Sequence, residues 1–250
     1  MRPIESDHDG IFSQMQNRSP SFKYQNGSYL WAITNSCFKH CMMIKHMKKQ
    51  HFYSVFIMSF CLQYTHAQHW QHLFSKKDLT GWHTIPGGKW EVVDGVLIGT
   101  SEKSEPRHGL LVTDKSYSDF IISVTYKAIK GNSGLYFRAE EVGDIVGVKG
   151  FQAEIDPTQD AGGLYETMGR GWVIKPKPKD VKTWYKPNEW NEMTVEARGG
   201  TIIVKVNGKE SARLINDSGR AAGKIALQLH GDMDMEVLFR EVKIKVFKAM

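Results

Sequence analysis

Cysteine is scarce in this chain of 250 residues and unevenly placed: the only three, Cys37, Cys41 and Cys61, all precede Gln68. From Gln68 onward there is none, which excludes a disulfide framework, a cysteine-ligated zinc site and a cysteine nucleophile from that part. No apolar run reaches the roughly 20 residues that a helix needs to cross a bilayer. Strong charge of one sign is also missing where it matters. The formal net charge is +6, from 33 Lys+Arg and 27 Asp+Glu. Residues 1–67 hold 7 Lys+Arg and 3 Asp+Glu (+4), so the 26 and 24 that remain leave only +2 for 68–250. With no basic stripe interleaved with aromatics in that part, a nucleic-acid partner has no support.

The residues before Gln68 read as a leader. Residues 47–68 are MKKQHFYSVFIMSFCLQYTHAQ: two lysines, an apolar stretch over 52–62, then Thr65-His66-Ala67, ending in the small residue a signal peptidase accepts. Phe60 before Cys61 is too large for a usual lipobox. Residues 1–46 are rich in Asn, Ser, Gln, Lys and His without hydrophobic period, as in a disordered or over-extended start. The expected organisation is a leader over 1–46, a signal peptide over 47–67 and one domain over 68–250. It implies a secreted or periplasmic protein with no stable membrane insertion after cleavage.

The domain reads as all-β. Trp90-Glu91-Val92-Val93 and Val96-Leu97-Ile98 flank Asp94-Gly95, a two-residue hairpin signal. FIISVTY over 120–126 alternates as a half-buried strand, and Asn207-Gly208 marks a second tight turn. Short strands at this spacing predict a single-domain β-sandwich of two antiparallel sheets, of jelly-roll size. The stretch over 170–187, with Pro176, Pro178 and Pro187, is expected to be the longest loop.

Alternation along the strands separates two kinds of outer face. In Val242-Lys243-Ile244-Lys245-Val246 the outward residues are lysines, an ordinary solvated surface. Elsewhere they are not. Phe151, Ala153 and Ile155 pack inward and leave Gln152, Glu154 and Asp156 outside; Leu135 and Phe137 leave Tyr136 and Arg138; Leu227 and Leu229 leave Gln228 and His230. Amides, carboxylates, an imidazole and an aromatic ring without lysine suit sugar hydroxyls and a pyranose face, so the expected partner is an oligosaccharide or glycoside.

The strings Asn132-Ser133-Gly134-Leu135-Tyr136-Phe137-Arg138, Gly150-Phe151-Gln152-Ala153-Glu154-Ile155-Asp156-Pro157, Gly162-Gly163-Leu164-Tyr165-Glu166, Arg170-Gly171-Trp172 and Leu227-Gln228-Leu229-His230-Gly231 together resemble the 3-keto-disaccharide hydrolase family. The resemblance runs from about Trp70 to Phe247. The order Gln152…Glu154 is the reverse of that in many members. The resemblance implies a concanavalin-like jelly roll and cleavage of glycosides oxidised to a ketone at C3, by C2-proton abstraction and loss of the C1 substituent, with or without water addition. Such chemistry needs a base, a donor for the enolate oxygen and an acid for the leaving group. Glu154 is the first choice as base, its pKa raised by a nearby carboxylate. His230 is the candidate acid, or alternatively the base, and Glu166 is a second carboxylate whose facing stays open. Arg138 or Arg170 is expected to hold the enolate oxygen. Tyr136, Tyr165 and Trp172 are candidate stacking platforms, and Asn132, Gln152, Asp156 and Gln228 candidate ligands of hydroxyls.

Two alternatives stand beside this reading. Glu154 and Asp156, two apart on one strand, fit a conventional paired-carboxylate glycosidase. A lectin-like module that binds without cleaving also fits the fold, although it needs no acid–base set. No cofactor and no metal site is expected, with a divalent cation left open by the alternating Asp232, Asp234 and Glu236.

Overall fold

A computed structural model describes residues 69–247; the leader and signal-peptide expectations lie outside the described residues. The strands are β1 (Gln71–His72), β2 (Trp82–Ile85), β3 (Lys89–Val93), β4 (Val96–Ser101), β5 (Gly109–Thr113), β6 (Phe120–Lys130), β7 (Ser133–Glu141) and β8 (Val148–Ile155). They continue with β9 (Leu164–Thr167), β10 (Gly171–Ile174), β11 (Asn191–Arg198), β12 (Thr201–Val206), β13 (Lys209–Leu214), β14 (Lys224–Leu229) and β15 (Met235–Val246). One helical turn, α1 (Pro178–Val181), precedes β11. The two expected hairpin turns form as read: Asp94 and Gly95 join β3 to β4 with φ of 51° and 76°, and Asn207 and Gly208 join β12 to β13 with 51° and 79°. Positive φ at both central residues gives these turns the twist that hairpin strands require.

The strands form two antiparallel sheets. One has the order β13-β12-β11-β6-β15-β4-β3, with β1 added beside β15; the other runs β10-β9-β8-β7-β14-β5-β2. Between them lies the core expected from alternation. Phe120, Ile122, Val124, Val195 and Ile244 face Leu135, Phe137, Phe151, Ala153 and Leu227, all fully buried. Phe137 stacks on Phe151 with ring centroids 5.6 Å apart, and Phe120 meets Phe137 edge-on across the sandwich at 6.4 Å. This is a jelly-roll β-sandwich. The stretch over 170–187 is not one long loop: β10 and α1 occupy it.

The outer face of the seven-stranded sheet is unusual in being largely covered. Leu110, Val112, Tyr136, Ala139, Val148 and Ala226 form a second buried apolar cluster there. The segment over 142–147, between β7 and β8, folds across part of it. Asp144 Oδ1 accepts the Val146 and Gly147 amides at 2.9 Å each, and Ile145 O accepts the His108 amide at 2.8 Å. A Cβ on Gly147, whose φ is +79°, would stand 2.9 Å from Leu110 Cδ1, so the segment lies directly on the strand beneath.

Arg138 departs from the expected alternation. A β-bulge between Phe137 and Glu140 places Arg138 at φ 49° and makes Arg138 and Ala139 share the space opposite Gly150. Ala139 therefore takes the outer face beside Tyr136, and Arg138 turns away and is only 2% exposed. Its guanidinium donates to Ser118 O (3.0 Å), Gly199 O (2.9 Å), Arg220 O (3.1 Å) and Asp119 Oδ1 (3.1 Å). It ties loops of the two sheets together and takes no place in a sugar site. Removing it takes the donor from three carbonyls and the cation from Asp119, which keeps only the Gly199 amide at 2.9 Å. Arg138→Ala should therefore destabilise the domain by about 3 kcal/mol, a fall in Tm of several degrees for a domain of this size. An unchanged Tm would mean that the buried fork contributes nothing.

Candidate functional site

The register of the seven-stranded sheet dictates what gathers on its outer face. Paired residues share a face, so Trp172, Tyr165, Gln152, Tyr136, Ala226, Val112 and His83 form one row across all seven strands. Beside it, Leu110 pairs with Gln228 and Gly134 with Glu154. Gly134 matters through its missing side chain: a Cβ there would lie 2.4 Å from Gln152 Nε2 and 2.7 Å from its Cγ and Cδ. The Gln152 side chain fills that space, and beside it lies a pocket of about 470 Å³ lined by His108, Tyr136, Gln152, Glu154, Gln228 and His230, among others. Asn132, Tyr165, Thr167, Met168, Val146 and Met233 complete its wall.

Glu154 is the one carboxylate among the lining residues described. It is 6% exposed and receives a single side-chain hydrogen bond, from Asn132 Nδ2 at 3.4 Å. Its backbone is pinned from both directions, the amide donating to Gly163 O at 3.0 Å and the carbonyl accepting from Gly162 N at 2.9 Å. Burial pushes the Glu154 pKa up to about 8, with Asn132 opposing and Asp156 adding a smaller rise. Desolvation, not the neighbouring carboxylate expected from the sequence, is thus the main cause.

The polar floor is a closed ring of hydrogen bonds. Gln152 Nε2 donates to Gln228 Oε1 (3.2 Å), Gln228 Nε2 to the Tyr136 hydroxyl (3.4 Å), and Thr167 Oγ1 to Gln152 Oε1 (3.4 Å). Tyr136 and Thr167 are joined at 2.9 Å, and since the Thr167 proton is already used, Tyr136 is the donor there. Two imidazoles stand on the other side of the pocket from the β8 and β9 residues. His230 immediately follows β14, and His108 immediately precedes its neighbour β5; their ring centroids are 4.3 Å apart. His230 Nδ1 donates to Gly231 O at 2.6 Å, which leaves its Nε2 free.

Of the residues expected from the sequence, Glu154, His230, Asn132, Tyr136, Gln152, Tyr165 and Gln228 come together in this pocket. Trp172 lies just outside, edge-on to Tyr165 at 5.3 Å with Lys175 over its ring at 4.8 Å. Four do not join. Arg138 is in the bulge already described. Glu166 pairs in register with Phe151 and so takes the opposite face, where Arg170 binds it and also reaches Asp217 Oδ1 at 2.7 Å. Arg170 is thereby committed as well. Asp156 caps the turn after β8, its carboxylate accepting from Thr158 N (2.7 Å), Thr158 Oγ1 (2.6 Å), Gln159 N (3.3 Å) and Asp160 N (3.0 Å).

Thr167 and His108 line the pocket although the sequence reading did not single them out. Thr167 was within reach, two residues after Tyr165 on the same strand. His108, in the loop Pro106-Arg107-His108-Gly109, carries no periodic signal. Among the described residues, no group of three or more His, Cys, Asp or Glu is arranged to hold a metal ion.

The raised Glu154 pKa is also a statement about stability. The unfolded chain releases this proton near pH 4.5 and the native protein near pH 8, so the native state loses stability relative to the unfolded as pH rises between them. The full shift is worth up to about 5 kcal/mol. Urea midpoints of Glu154→Gln should therefore rise relative to the parent as pH goes from 5 to 9. Parallel curves would mean that Glu154 titrates as an ordinary exposed carboxylate.

Residues 69–245 match the family described as the 3-keto-alpha-glucoside-1,2-lyase-like domain. Among solved structures, the chain is similar to a candidate glycosyl hydrolase from Parabacteroides distasonis ATCC 8503, at 23% identity and a TM-score of 0.55 over 73% of this chain and 96% of that one. It is similar to the carbohydrate-binding module CBM66 from Bacillus subtilis at 18% identity and a TM-score of 0.52, covering 66% of this chain and 95% of that one. A Bacillus subtilis protein with a galectin-like fold is 15% identical, with a TM-score of 0.55 over 72% of this chain and 96% of that one. At these identities the likenesses establish the fold alone. No curated protein matches the sequence. The family match, which spans most of the chain, identifies it as a member of the 3-keto-alpha-glucoside-1,2-lyase-like family.

Proposed function

We propose that this domain cleaves glycosides whose sugar carries a ketone at C3, by removing the C2 proton and expelling the C1 substituent. The observation that carries the reading is Glu154: a desolvated carboxyl with no described lysine or arginine in ion-pair contact, in a pocket that also holds two imidazoles. A C3 ketone acidifies the C2–H bond, and a carboxylate whose pKa is lifted toward 8 is a stronger base than an exposed one. In this scheme the Glu154 carboxylate takes the C2 proton and the C2–H electrons move into the enolate. When the C3 carbonyl re-forms, a double bond forms between C1 and C2 and the C1–O bond breaks. The departing oxygen takes the Nε2 proton of His230 in its imidazolium form, while the Nδ1 proton stays hydrogen-bonded to Gly231 O; His230 ends neutral and Glu154 protonated. Water added across the new double bond completes hydrolysis; without it the domain is a lyase.

The paired-carboxylate alternative loses its second acid, because Asp156 is occupied by four donors at the turn. The family match and the likeness to a candidate glycosyl hydrolase support a carbohydrate-active role. Likeness to a binding module keeps binding without turnover as the outcome that would defeat the proposal. Export belongs to the same proposal, resting on residues 47–67. The N-terminus of the exported protein should fall at or near Gln68, and a cell-associated protein that retains residues 52–62 would refute it.

The purified protein should turn over 3-keto glycosides and leave the corresponding unoxidised glycosides intact. Glu154→Gln should lower kcat by about 10²–10⁴-fold while retaining ligand affinity. The pH profile decides the role: kcat/KM should show an ascending limb with its midpoint near 8, as Glu154 loses its proton. A profile that falls through that value would make Glu154 the acid instead. A weakened KM with normal kcat in Glu154→Gln would reduce it to a ligand of hydroxyls.

A further inference from the structure

Elimination next to a ketone needs a donor for the enolate oxygen, and both arginines expected in that role are engaged elsewhere. Arg138 is consumed by Ser118, Gly199, Arg220 and Asp119, and Arg170 by Glu166 and Asp217. Within the pocket, the hydrogen-bond ring singles out another group. Gln228 Nε2 has two protons: one goes to the Tyr136 hydroxyl, the other points at His108 Nδ1, 2.9 Å away. With the amides oriented as in this ring, His108 Nδ1 is an acceptor, so the proton of the neutral imidazole sits on Nε2.

We propose that His108, through Nε2–H, donates to the C3 oxygen of the substrate as it becomes an enolate, and that Gln228 is the positioning residue that fixes this tautomer. The proposal rests on the functional reading above. Two further observations agree with it. His108 is kept neutral, its pKa lowered to about 4 by burial first and by the facing His230 second, against weaker opposing effects of Asp232 and Asp144. His230 has the opposite arrangement, because its Nδ1 donates to a carbonyl that can only accept. The two neighbouring rings, tilted by 41°, therefore differ at Nε2: one presents a fixed proton, the other a nitrogen that takes up a proton to form the imidazolium and gives it back. A neutral donor suits the enolate, because it stabilises the developing charge without giving up its proton irreversibly.

Nitrogen-15 NMR of the ring nitrogens tests the positioning half directly in the wild-type protein. The expected result is neutral His108 protonated at Nε2 at pH 7. An Nδ1–H tautomer or an imidazolium at that pH overturns the proposal. Gln228→Met, close in shape but without the amide, should lower the Nε2–H fraction; an unchanged tautomer overturns the role of Gln228. The wild-type spectrum decides the tautomer even if this variant does not fold.

Kinetics on a 3-keto glycoside test the donor half. His108→Phe should lose about 100-fold or more in kcat with KM within a few-fold, and His108→Gln, which keeps an N–H, should recover a substantial part. Equal losses in both variants, or a loss confined to KM, overturn the donor role. Absence of turnover by the wild-type protein overturns the functional reading and the donor role with it. The tautomer spectrum still judges Gln228 independently.

Discussion

A carboxyl group removed from water with one weak amide donor for company imposes the main constraint on this domain. Ionising Glu154 in place costs free energy that an exposed glutamate does not pay, and the Asn132 hydrogen bond and the weaker pull of Lys175 do not offset it. The fold supports such a group by placing it on β8, near the middle of one sheet, with its backbone bonded on both sides. The floor beside it is built from neutral hydrogen-bonding side chains. Amides and hydroxyls close on one another, so the floor presents directed dipoles rather than mobile charge. Charged partners are kept to the margins, where Arg138 and Arg170 hold loops together.

The sheet and the pocket depend on each other through small departures from regularity. The bulge at Arg138 swaps a guanidinium for Ala139 on the outer face, which lets Tyr136 pack among Leu110, Val112 and Val148 instead of beside a charge. The missing side chain at Gly134 lets the Gln152 amide lie across it and reach Gln228. The segment over 142–147 covers the apolar half of the face, so access is confined to the half that carries Glu154 and the imidazoles. Each feature is local, and together they turn an ordinary sheet surface into a single entrance.

Much of this was legible in the sequence for definite reasons. Asp94-Gly95 and Asn207-Gly208 announce turns because they tolerate positive φ, and the alternation around Phe151 and Leu227 divides core from outer face with a period that strands enforce. Gln152, Glu154, Gln228 and His230 follow from that division. What escaped has equally physical causes. A bulge adds one residue and inverts alternation beyond it without a distinctive composition, so Arg138 was assigned to the wrong face. The facing of Glu166 depends on the register of the short strand β9 against Phe151, which no local pattern specifies. Asp156 stands one residue beyond β8, where turn amides claim its carboxylate first. His108 is in a loop and reaches the pocket only because β5 pairs with β14.

The central claim is that cleavage passes through removal of the C2 proton rather than through direct displacement at C1. Running the reaction of a 3-keto glycoside in D2O and locating label in the product by NMR and mass spectrometry addresses it directly, with a no-enzyme control for spontaneous exchange. The account predicts either an unsaturated product that has lost the C2 hydrogen or a hydrated 3-keto sugar carrying solvent deuterium at C2. A hydrolysed product that retains its original C2 hydrogen would contradict it.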